Sequence, residues 1–195
     1  MPLTLVGRGG MPGVPMTTQS EQSARPSVGH RHVTGTSSLD SLVGAHPGTL
    51  RQFYEAGKPA DPAELGDLPR GRLLALQPTA GIHLATRPLI TALASRWMPW
   101  KGNEFDHGGN SGTNVVFGSR ICRFKAQLIP SELDGQPTLA LTYGEKAFGN
   151  PWPVSAVKDE LRTVEPGLAI GPMLLKWHER WHAVLWFGLT RVDPQ

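Results

Sequence analysis

At 195 residues, 39% hydrophobic and 18% charged, the chain has room for one ordinary domain with a true core, and is neither a membrane protein nor a charge-dominated disordered chain. The net charge is +3, with 19 Lys and Arg scattered among 16 acids, so nucleic-acid binding has little electrostatic support. A single cysteine, Cys122, excludes an internal disulfide framework and multi-cysteine metal centres, and fits a reducing cytoplasm.

Residues 1–37 are rich in Gly, Pro, Ser, Thr, Arg and Gln, with no hydrophobic run longer than Leu3 to Val6. Such a segment buries too little apolar surface to offset its ordering entropy, and it lacks the apolar stretch of a secretory signal. It is expected to be a disordered, dispensable tail in front of one domain over residues 38–195. Met16 opens a polar stretch that reads as an ordinary N-terminus, so the start is open between Met1 and Met16.

Ser38 to Gly57 reads as helical, capped at Ser38 or Ser41 and interrupted at Pro47, with Leu50, Phe53 and Tyr54 at helical spacing before Gly57 ends it. After a Pro- and acid-rich connector, Arg70 to Gln77 suits a strand. Thr86 to Trp97, opened by Thr86 and Pro88, suits a second helix. From Trp100 onward the pattern changes to short strands parted by turn chemistry: Asn114 to Phe117, Arg120 to Ile129, Thr138 to Tyr143, Val157 to Val164, Leu168 to Leu175 and Trp181 to Val192. Asp134-Gly135, Pro166-Gly167 and His178-Glu179-Arg180 supply hairpin turns, and Gly108 to Gly112 reads as a flexible loop without the ending of a phosphate loop. The expected fold is mainly β, an antiparallel lipocalin-like barrel or strongly curled sheet with one or two short N-terminal helices.

Alternation within the strands bears on function. Cys122, Phe124, Ala126 and Leu128 share one face, with Ile121, Arg123, Lys125 and Gln127 on the other. The last strand is apolar on both faces, so one face packs the core and the other needs the front helices, a ligand or a partner over it. Glu160 and Arg162 share a strand face and suit an ion pair that either lies solvated or turns inward to orient a ligand. Six tryptophans, Trp186 among them, supply core filler or pocket lining. His178 and His182 flank the final hairpin on different strands, and Cys122 sits mid-strand, so neither a metal site nor a thiol nucleophile is expected.

In Asp67 to Gly71 and Trp100 to Phe105 the chain resembles lipocalin-like bacterial proteins of the Gly-X-Trp-X-Gly type. Gly71 matches the second glycine of the opening motif, with Pro69 at the tryptophan position and Asp67 at the first glycine. Trp100, Gly102 and Phe105 match the Trp-X-Gly-Lys-X-Phe segment, with Asn103 at the lysine. The resemblance covers about Thr49 to Arg191. It implies a barrel enclosing a small hydrophobic molecule, with Arg191 placed to pack over the first strand.

The leading expectation is therefore a barrel that binds a small apolar or amphipathic ligand, with Arg123, Tyr143, Glu160, Arg162 and Trp186 as ligand-binding residues, no cofactor and no assigned catalytic residue. Two alternatives stay open. One is a cyclase or isomerase using Glu160 or Tyr143 as acid or base. The other is an interaction module pairing through its apolar last strand, with which a homodimer is compatible.

Overall fold

The computed structural model describes residues 38–77 and 100–192. The expected tail over 1–37, both candidate start residues and the expected helix from Thr86 to Trp97 lie outside them. Ser38 caps a 3-10 turn, Leu39–Leu42, and His46 caps α1, Pro47–Ala56, which starts at a proline whose missing N–H costs nothing in the first turn. Gly57 follows α1 as its cap; β1, Lys58–Pro59, and a single-turn helix α2, Pro62–Leu65, come next.

Eight further strands then alternate direction: β2 Arg70–Leu76, β3 Trp100–Phe105, β4 Ser111–Val116, β5 Ser119–Pro130, β6 Pro137–Thr142, β7 Val157–Glu165, β8 Leu168–Trp177 and β9 Arg180–Thr190. They pair in the order β7-β6-β5-β4-β3-β2-β9-β8, and β8 returns to β7, which closes an antiparallel barrel with β1 as a short outer addition. Closure removes the free sheet edges that an open meander of this length would expose.

The hairpins use the turn residues that the sequence offers. Asp134-Gly135 turns between β5 and β6, with Gly135 at φ 72° and the Asp134 carboxylate accepting from the Gln136 N–H at 3.0 Å. Gly167 serves between β7 and β8, and His178 and Glu179 both take left-handed φ between β8 and β9. The local reading is corrected at four places. Trp100–Phe105 is a strand, paired from Phe105↔Gly112 to Trp100↔Val116, although its glycine and polar residues hide the strand pattern. Phe117 belongs to the β4–β5 turn with Gly118, both at positive φ, and Ser111 and Gly112 belong to β4 and not to a loop. Cys122 is the extra residue of a bulge, at φ 54°, where Thr113 faces Arg123 and Asn114 faces Ile121.

Two apolar layers result. Inside the barrel Phe105, Phe124, Leu141, Leu161, Met173 and Phe187 pack together, with Leu65 of α2 among them. Outside, Leu39, Leu42, Leu50 and Tyr54 cover Leu168, Ile170 and Trp186. The two apolar faces of the last strand are thus accounted for: one lines the barrel interior, and the N-terminal helical segments cover the other.

Candidate functional site

The expected pair Glu160 and Arg162 faces the outer layer, not the lumen, and the two side chains do not bridge each other. On β7 the lumen face carries Val157, Asp159 and Leu161, so the alternation sends Lys158, Glu160 and Arg162 outward. Glu160 is fully buried and accepts from the Tyr54 hydroxyl at 2.9 Å, the Ser131 hydroxyl at 2.6 Å and the Glu132 N–H at 2.9 Å. Arg162 grips Asp134 with two bonds of 2.7 Å and donates to the carbonyls of Pro137 at 3.1 Å, Gln136 at 3.0 Å and Tyr54 at 3.3 Å. Its guanidinium also lies 4.3 Å from the centre of the Tyr54 ring. Both charges are saturated by protein groups, and the network ties α1 and the β5–β6 turn to β7.

Trp186 also lies in the outer layer, edge-on to Tyr54 at 5.9 Å, and donates to the Gln77 side chain at 2.9 Å. Arg123 is exposed on the outer face of β5, its guanidinium 5.4 Å from the Phe148 ring centre. Of the five expected ligand-binding residues the lumen holds Tyr143, just beyond β6.

Around Tyr143 a polar chain crosses the barrel interior. The Trp100 indole N–H donates to Asn114 Oδ1 at 3.0 Å, Asn114 Nδ2 donates to the Tyr143 oxygen at 3.0 Å, and the Tyr143 hydroxyl donates to Asp159 Oδ2 at 2.7 Å. Asn114 Nδ2 also reaches the Cys122 carbonyl at 3.4 Å, so the bulge that displaces Cys122 helps to seat the amide. Trp100 takes its place because Gly71 has no side chain: a Cβ there would lie 2.6 Å from the indole ring. Gly71 and Trp100 therefore meet, whereas Arg191, expected to pack over the first strand, lies exposed just past β9, its N–H bonded to the Gly167 carbonyl at 2.8 Å.

The chain ends on an open group, and a second lies apart from it. Asp159 Oδ1 is buried without a hydrogen-bond partner, and so are both amide atoms of Asn103, a fully buried residue paired with Asn114 across β3 and β4. β3 stands four places from β7 round the eight-stranded ring, so Asn103 and Asp159 belong to opposite walls. Burial is the largest influence on Asp159 and the nearby Glu160 charge adds to it; against the Tyr143 hydrogen bond they push the carboxyl from its ordinary 3.8 up to about 7. Burial and the Asp159 charge also raise Tyr143, and burial raises the Cys122 thiol. An outer groove of about 420 Å³ runs between the end of α1 and the end of β7, but its Lys58 and Glu64 are bonded to each other at 3.0 Å.

Asn103, Asn114 and Asp159 escaped the sequence reading. Each sits in a strand whose alternation becomes visible only once its phase is known, and the charge cluster of β7 drew attention to its outward members. No family model and no curated protein matches the chain. The chain is similar to a solved structure, the crystal structure of a protein from Thermomonospora curvata, at 20% sequence identity and a TM-score of 0.49, over 80% of this chain and 93% of that one.

Proposed function

We propose that the barrel binds a small apolar or amphipathic molecule in its lumen, with Asp159, Tyr143 and Asn114 meeting its polar end and Phe124, Leu141, Met173 and Phe187 its apolar part. The observation that carries this reading is the polar chain from Trp100 to Asp159, set in a mainly apolar interior and ending on a buried, unpartnered carboxylate oxygen. An unpartnered buried polar atom costs about 1–3 kcal/mol, a cost that a bound group can offset. Convergence of a few polar groups in apolar surroundings is also the general pattern of small-molecule sites. Trp100, bonded to Asn114 and edge-on to Phe187 at 5.7 Å, is a built-in reporter. Titration with dodecanol, dodecanoic acid, dodecylamine and fused-ring compounds should give a saturable change in tryptophan emission that Asn114→Leu weakens. A flat response to every compound would remove the reading.

The position of Asp159 near neutrality supports a second reading, an isomerase or cyclase in which this carboxyl, and not Glu160, moves a proton on a bound substrate. A compound that binds Asp159→Asn as tightly as the parent, but is converted by the parent alone, would favour it.

A further inference from the structure

Every described Lys and Arg is exposed except Lys158 and Arg162. Both point outward, Lys158 to Glu132 at 2.6 Å and over the Trp181 ring, Arg162 to Asp134. Glu160, the other buried acid among the described residues, also faces outward and is saturated. Asp159 is therefore a lone acid on a lumen face to which no described Lys or Arg turns. Its Oδ2 accepts a hydrogen bond from the Tyr143 hydroxyl, and its Oδ1 has no hydrogen-bond partner. Asn103, on the opposite wall, offers a second unpartnered acceptor that carries no charge.

Resting on the binding reading above, we propose that the ligand carries a protonated amine on an apolar body, with the ammonium donating to Asp159 Oδ1. A neutral alcohol could fill the same hydrogen bond, but it would leave the buried negative charge uncompensated. A carboxylate would set two like charges together. An ammonium supplies both the donor and the counter-charge, and in a low-dielectric interior the charge decides between otherwise equal ligands. The apolar walls accept the rest of an aliphatic or ring amine, and the unpartnered amide of Asn103 can meet a second polar group on it.

Tyr143 and Glu160 act on the Asp159 carboxyl. Tyr143 faces it from the end of β6, Cys122 acts on Tyr143 from β5, Glu160 stands beside it on β7, and His182 holds the position on β9 opposite Leu175 of β8, nearer the barrel end. Met173, its partner on β8, does not titrate. Alkylamines keep their proton until roughly pH 10, so binding should tighten as the pH rises through about 7 and Asp159 ionises.

The test compares dodecylamine, dodecanol and dodecanoic acid, each below its aggregation limit, by tryptophan emission and calorimetry on the full chain. Dodecylamine should bind about tenfold or more tighter than dodecanol above neutral pH, and that margin should vanish in Asp159→Asn. Tyr143→Phe keeps the carboxyl but removes a bond that favours its ionised form, so the pH midpoint of amine binding should move up, whatever the change in affinity. If Asp159→Asn fails to fold, that variant and the parent's pH profile decide. Equal affinities, or tightest binding of the acid, would overturn the amine assignment and leave the binding reading intact. No saturable response to any of the three, nor to the fused-ring compounds, would sink both.

Discussion

Asp159 is where a single residue couples folding to pH. A carboxyl that is deprotonated in the unfolded chain but holds its proton in the folded one stabilises the fold at low pH. Its folded value of about 7 lies above the ordinary 3.8, so the native state binds the extra proton between those limits. The contribution is fully present below about 4 and is lost as the pH rises through about 7. At about 1.4 kcal/mol per pH unit, the parent should lose on the order of a few kcal/mol across that window relative to Asp159→Asn. Urea unfolding at a series of pH values measures this directly, and parallel profiles for the two proteins would contradict the buried, unpaired carboxyl. Asp134 works in the opposite sense. Its bond to Arg162 holds its carboxyl below the usual range, so that pair loses strength as the pH falls through the depressed value.

At the scale of elements, α1, the β5–β6 turn and β7 are held together by outward charges of β7. Arg162 bonds to Asp134, to two turn carbonyls and to the end of α1, while Glu160 receives Tyr54 from α1 and Ser131 from the turn. Removing the guanidinium leaves Asp134 and three carbonyls without their donor inside a covered layer. Arg162→Met should cost about 3 kcal/mol, read as a lowered urea midpoint with unchanged slope; Asp134 is partly exposed, so the loss falls at the lower end for buried pairs. Amine binding in the lumen should persist in the folded variant, because Arg162 lies on the other side of the sheet. A large loss of binding with little loss of stability would return Arg162 to the site that the sequence suggested.

At the scale of the whole molecule, barrel closure is uneven. β8 pairs with β9 over nearly its full length, whereas β2 meets β3 at Arg70↔Gly102, with one further bond from the Phe105 N–H to the Asp67 carbonyl. Strand pairs with few ladder bonds open at lower cost than long ones. Amide exchange should therefore be slowest along β7, β8 and β9, and fastest in β3 on its side toward β2. The polar chain hangs from Trp100 at the start of β3, so a ligand that engages it should slow exchange there first. Uniform protection round the barrel, or fast exchange in β8 and β9, would contradict this picture.

The sequence by itself determined the β class, most strand positions from Arg120 onward, the turns at Asp134-Gly135 and Pro166-Gly167, and the helical start with its stop at Gly57. These are local matters: alternation, caps and turn residues act over a few positions and leave a direct mark. It also set out what could cover the second apolar face of the last strand, and the N-terminal segments do so through Leu50 and Tyr54. Only the tertiary structure decided which face of each strand is inside. In β7 both faces are buried, so alternation cannot distinguish the lumen from a layer beneath a helix, and the charge pattern of Glu160 and Arg162 reads the same in either phase. A bulge at Cys122 and another near Trp100 shift the phase again without a mark in composition. The meeting of Asn114, Tyr143 and Asp159 was beyond the sequence for the same reason. It depends on three strands closing round one interior, and separation along the chain says nothing of distance across a barrel.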